Sequence, residues 1–132
     1  MTPVVVDASV LAAVCFVEPD ADAWALRLDG VALHAPRLLR YELQSVARKK
    51  CVAHPEQARR VLEALALALD ERQGITWMDP DPVDVVLLAR ATGLTTYDAS
   101  YLCLAGMLGA DLVTRDAALA WALDARTEDA SA

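Results

Sequence analysis

Four acidic residues stand in places that solvation alone does not explain. Asp7 directly follows the apolar run Val4-Val5-Val6, and Asp116 follows Leu112-Val113-Thr114 after a single residue. Glu42 lies within the stripe Leu38, Leu39, Leu43 and Val46, at the spacing of one buried helix face. Asp98 heads a similar stripe of Tyr101, Leu102 and Ala105. Each has a purely structural explanation. Asp7, Asp98 and Asp116 can cap the helix that follows, and Glu42 can pair with Arg37 or Arg40. Thr95 and Thr96 already offer caps beside Asp98. A carboxylate on a packed helix face also needs a partner, because uncompensated burial is costly. If the four converge, two carboxylates ~5 Å apart repel by roughly 3 kcal/mol at an effective dielectric of ~20, and protons or cations must neutralise the group. An all-oxygen donor set without His or Cys suits hard ions, Mg2+ or Mn2+, which bind phosphate oxygens. The chemistry to expect of such a site is phosphoryl transfer to water.

The elements that must position these acids follow from the pattern of the chain. Val4–Val6 is β-branched and continuous, as suits a strand buried on both faces. Ser9 can cap a short helix over Val10 to Phe16, and a second helix covers Asp20 to Leu28. Leu33-His34-Ala35 reads as a strand ended by Pro36. Two long helical patterns follow, Leu38 to Val52 and Pro55 to Asp70, with His54 placed to cap the second. Gly74 precedes a strand at Ile75 to Met78, and Asp81-Pro82 opens a helix ending near Gly93. A helix over Asp98 to Leu108 stops at Gly109, Leu112 to Thr114 is a strand, and Asp116 to Ala125 is the last helix. Strands alternating with helices predict an α/β fold with a parallel sheet, and two aspartates after strand ends can share its crevice. With 132 residues the chain is one domain, expected over 1–126 with a frayed tail from Thr127 to Ala132.

The motifs resemble those of the PIN-domain ribonucleases. Val5-Val6-Asp7-Ala8-Ser9-Val10-Leu11 looks like the first, Tyr41-Glu42 the second, and Leu112-Val113-Thr114-Arg115-Asp116 the fourth. The most specific match is the third, Thr95-Thr96-Tyr97-Asp98-Ala99-Ser100-Tyr101-Leu102-Cys103-Leu104-Ala105. All four occur in family order, and VapC-type toxins of type II toxin–antitoxin pairs are the most similar group. The resemblance implies a three-layer sandwich with a parallel sheet of about four to five strands and helices on both faces. It implies that Asp7, Glu42, Asp98 and Asp116 are catalytic and bind Mg2+ or Mn2+, with Ser9 and Thr114 in support. It also implies an RNA substrate, single-stranded or the loops of tRNA and other structured RNA, a homodimer, and a small cognate antitoxin. One departure is visible: no clear final strand follows the last helix, where many relatives have one.

Charge is the apparent objection. Lys and Arg number 12 against 19 Asp and Glu, a net charge of -7 that excludes an overall basic nucleic-acid binder and disfavours anionic membranes. Its distribution is uneven, however. Between Arg37 and Arg60 seven basic residues face only Glu42 and Glu56. Arg37, Arg40, Arg48, Lys49, Lys50 and, beside the fourth acid, Arg115 are the candidate phosphate contacts; a solvated helix face is the alternative.

Two other functions compete with the nuclease. A haloacid-dehalogenase-like phosphatase needs a second aspartate two residues after the first, where this chain has Ser9. A non-catalytic RNA-binding or interaction domain would have no need of all four acids. The apolar stretch Pro3 to Val17 lacks a preceding basic residue and is broken by Asp7, so it reads as fold rather than leader, and a cytoplasmic location is expected. Cys15, Cys51 and Cys103 form no C-x-x-C pair and read as reduced, buried thiols. His34 and His54 read as structural, and Trp24, Trp77 and Trp121 as core.

Overall fold

The computed structural model describes the backbone of residues 1–131 and the side chains of residues 1–125. The tail expected at 127–132 therefore lies outside the residues whose side chains are described. Four strands, β1 (Pro3–Val6), β2 (Ala32–Ala35), β3 (Thr76–Trp77) and β4 (Asp111–Val113), form a parallel sheet in the order β3-β2-β1-β4. Helices α1 (Ala8–Cys15) and α2 (Ala21–Arg27) connect β1 to β2. Helices α3 (Leu38–Ala53) and α4 (Ala58–Ala68) connect β2 to β3, and α5 (Pro82–Thr92) and α6 (Thr96–Leu108) connect β3 to β4. Helix α7 (Ala117–Ser131) closes the described chain.

Strand β1 is central. Its successive side chains point to opposite sheet faces, yet Val4, Val5 and Val6 are all buried, so both faces are covered. Val10, Leu39, Leu43, Leu102, Leu104 and Leu119 complete the core around it. The chain leaves β1 toward β2 and β3, then returns to the other side of β1 as β4. Strand order thus reverses between β1 and β4, and in open parallel sheets ligands bind beyond the strand C-termini at such a reversal.

Several local expectations need correction. Helix α1 begins at Ala8, so its cap is Asp7 in extended conformation and not Ser9. The second long helical pattern opens with a 3-10 turn at Pro55–Gln57 before α4. His54 precedes that turn but makes no capping bond; its Nδ1 lies 3.5 Å from Glu56 Oε1. Trp121 is 69% exposed, because the buried stripe of α7 runs through Leu119 and Ala122 and turns Trp121 away. Trp24 and Trp77 pack at the edge of the core. The cysteines form no disulfide and are half-buried rather than buried; burial pushes the Cys15 thiol up to about 11. Other punctuation agrees with expectation. Asp81 caps α5, Thr95 caps α6 through the Asp98 amide at 3.1 Å, and Gly93 and Gly109 end those helices in the left-handed region.

Candidate active site

The four acids sit at the C-terminal edge of the sheet, where β1 and β4 run side by side with Val6 opposite Val113. Asp7 is the first residue beyond β1 and is only 5% exposed. Its Oδ1 accepts bonds from the Val10 amide at 3.2 Å and the Ser9 hydroxyl at 2.7 Å. Its Oδ2 accepts a short bond from the Thr114 hydroxyl, just past β4. Thr114 Oγ1 in turn accepts from the Asp116 amide at 2.9 Å, and Ser9 Oγ accepts from the Arg115 amide at 3.0 Å. Ser9 and Thr114 therefore fasten the loop after β4 to the loop after β1. Asp116 Oδ1 caps α7 through the Leu119 amide at 2.9 Å. Capping thus does describe part of what Asp7 and Asp116 do, since each helix starts where its strand ends.

Glu42 and Asp98 enter from α3 and α6. Neither Arg37 nor Arg40 pairs with Glu42. Its partner is Tyr101, whose hydroxyl donates a short bond to Glu42 Oε1 and whose ring is almost fully buried. Burial raises the Glu42 carboxyl above its ordinary range, and the charges of Asp98 and Asp7 add to this against the Tyr101 bond. Burial likewise raises Asp98, helped by the charges of Asp116 and Asp7 and opposed by Thr95. Burial and the hydrogen bond to Glu42 push Tyr101 far up, so it remains a proton donor at any ordinary pH. Each acid is therefore within electrostatic reach of at least one other, and Asp7 and Asp98 link all four. Since Thr95 caps α6, helix capping does not account for Asp98.

In chemical type, though not in spacing, the donor set suits a hard divalent cation: it is oxygen only, mutually repelling, and unpaired with any Lys or Arg in a salt bridge among the described residues. As the described side chains stand, no three His, Cys, Asp or Glu are grouped closely enough to hold an ion. A family model for the PIN domain matches residues 4–121, a span that includes all four acids. The chain belongs to the PIN domain family. No curated protein matches it. Among solved structures, PAE2754 from Pyrobaculum aerophilum is similar in fold, with 24% identity and a TM-score of 0.65 over 98% of this chain and 90% of that one. The PIN fold is generally a nuclease fold, which points to a nucleic-acid substrate.

The basic residues of this PIN domain divide in two. Arg37 binds Asp79, through its amide at 2.9 Å and Nη1 at 2.8 Å, and so ties the start of α3 to the loop after β3. Arg40 donates to the Leu69 carbonyl at 3.1 Å and lies over the Trp77 ring at 5.2 Å. Lys50 pairs with Glu18 at 3.0 Å, and Arg115 pairs with Glu18 at 2.5 Å and Asp20 at 3.4 Å. Four of the six candidate phosphate contacts are thus engaged within the protein. Arg48 and Lys49, exposed on α3, make no salt bridge among the described residues. Reading the sequence missed Tyr101 and Glu18 as site-associated residues. Tyr101 was visible as one member of an apolar stripe and of the third motif, without a role, and Glu18 carried no signal at all. No helix among the described residues is long and apolar enough to cross a membrane.

Proposed function

We propose that this PIN domain is a metal-dependent endoribonuclease, the toxin of a VapBC-type toxin–antitoxin pair. The observation that supports it most is the linkage of Asp7, Glu42, Asp98 and Asp116 by mutual repulsion at the strand-order reversal. Those four residues would hold Mg2+ or Mn2+, which when bound lowers the pKa of an attacking water and offsets charge on the phosphodiester. Asp7 is held rigid by Ser9, Val10 and Thr114, so one carboxylate is preorganised at the floor. Tyr101 fixes Glu42 and keeps its own proton. Asp98 and Asp116 sit at the first turn of α6 and directly before α7, where helix N-termini favour negative charge. Arg48 and Lys49, exposed on α3, would contact the phosphate backbone of bound RNA. Cytoplasmic residence, a homodimer and inhibition by a small cognate antitoxin belong to the same proposal.

The test is cleavage of RNA by the purified chain with Mg2+, with Mn2+ and with EDTA, beside Asp7→Asn and Asp98→Asn. Cutting confined to the divalent ions and lost in both variants is expected. Undiminished cutting in EDTA excludes the metal mechanism. RNA binding without cutting under any condition returns the chain to a non-catalytic interaction domain.

A further inference from the structure

We infer that Glu18 is a positioning residue that holds the Arg115 guanidinium away from the acid cluster, leaving Asp7 and Asp116 available to a divalent cation. The inference rests on the metal-dependent reading of the site given above. Arg115 immediately precedes Asp116, and two hydrogen bonds of 3.0 and 2.7 Å, through Ser9 Oγ, separate its amide from Asp7 Oδ1. An arginine side chain is long enough to span that distance, and its planar fork matches a carboxylate in two bonds. Left unrestrained beside Asp7 and Asp116, its guanidinium would be able to neutralise them in place of a divalent cation.

The structure directs it elsewhere. Arg115 Nη1 bonds Glu18 Oε2 at 2.5 Å, and Nε lies 3.4 Å from Asp20 Oδ2. The other Glu18 oxygen, Oε1, is held by Lys50 Nζ of α3 at 3.0 Å. Asp20 is steadied by the Trp24 indole at 2.8 Å. The Glu18 side chain is four-fifths covered, so these bonds are screened less than those of a surface pair. Glu18 is delivered by an unusual turn. Val17, with φ 53, is the one non-glycine residue of positive φ among the described residues, and the Glu18 amide closes back on the Ala13 carbonyl at 2.9 Å. A β-branched residue is seldom found in that region, so the turn presenting Glu18 is a specific feature of this chain.

Calorimetric titration of the 132-residue chain with Mn2+ tests this, comparing the native chain with Glu18→Gln, Arg115→Gln and the double variant. Glu18→Gln keeps the side chain's shape and is expected to weaken Mn2+ binding about tenfold, equivalent to about 1.4 kcal/mol. Arg115→Gln, having no guanidinium to release, is expected to stay within about twofold of native, and adding it to Glu18→Gln to restore affinity. Native affinity in Glu18→Gln overturns the inference. A double variant as weak as Glu18→Gln also overturns it, because Glu18 then acts through the fold and not through Arg115. A native chain that binds no Mn2+, or binds it equally well as Asp98→Asn, overturns the metal reading itself and the inference with it. Failure of the inference alone shows native binding that depends on Asp98 and not on Glu18.

Discussion

Tyr101 and Glu42, 59 residues apart, join α6 to α3 through one hydroxyl–carboxylate bond at the edge of the acid cluster. The phenol is buried and the carboxylate half-buried, so each satisfies the other where water is scarce. Tyr101→Phe keeps the ring and removes only the donor. It should lower stability by about 1.5–3 kcal/mol, the range for a bond to a charged acceptor, as read from urea unfolding in EDTA. An unchanged midpoint would mean that the bond is not formed in solution.

Asp98→Asn should raise the melting temperature of the metal-free protein at pH 7, because one repelling charge is gone. The pH dependence follows from the direction of the shifts. Glu42 and Asp98 have folded-state pKa values above their unfolded ones. Their contribution to stability is therefore complete below the ordinary carboxylate range and declines as pH rises through the raised values. The stabilisation by Asp98→Asn should accordingly be largest near neutrality and vanish below the ordinary carboxylate range. A melting temperature that falls in the variant at pH 7 would point to a favourable ion pair instead.

Divalent ion should act on the same quantity. At one hundred times its dissociation constant, Mn2+ should stabilise the native protein by about 2.7 kcal/mol, with a smaller effect in Asp98→Asn. Thermal melts with and without Mn2+ supply the comparison. Equal shifts in both proteins would place the ion elsewhere.

Thr114 serves both strand ends, donating to Asp7 and accepting from the Asp116 amide. Thr114→Val should reduce RNA cleavage by at least tenfold and lower stability by about 1–3 kcal/mol, since the buried Asp7 oxygen loses its donor. Thr114→Ser, which keeps the hydroxyl, should recover most of both. A serine variant as impaired as the valine one would show that the methyl group matters more than the bond.

Among the basic residues, Arg48→Glu with Lys49→Glu should weaken RNA binding and lower its salt slope by about 0.7 for each phosphate no longer neutralised. Arg40→Gln should instead lower stability, because Arg40 is committed to the Leu69 carbonyl and the Trp77 ring. Filter binding across a salt series and thermal melts separate the two outcomes. If the reversal at 48 and 49 leaves the slope unchanged, those residues are a solvated face.

Much of the framework was already readable in the linear chain, because it depends on neighbours. The valines before Asp7, the proline after Asp81 and the glycines at 93 and 109 act through backbone geometry within a few residues, and their elements appear where expected. The helix face carrying Glu42 was likewise evident from periodicity alone. Pairings between distant segments were not. That Glu42 meets Tyr101 rather than Arg40, that Arg115 turns to Glu18, and that β4 lies beside β1 depend on how helices pack across the sheet. Local propensity carries no record of such pairings. Side-chain type and spacing thus determined which residues are able to do chemistry, while strand order and helix packing decided which of them share a site and which are held apart.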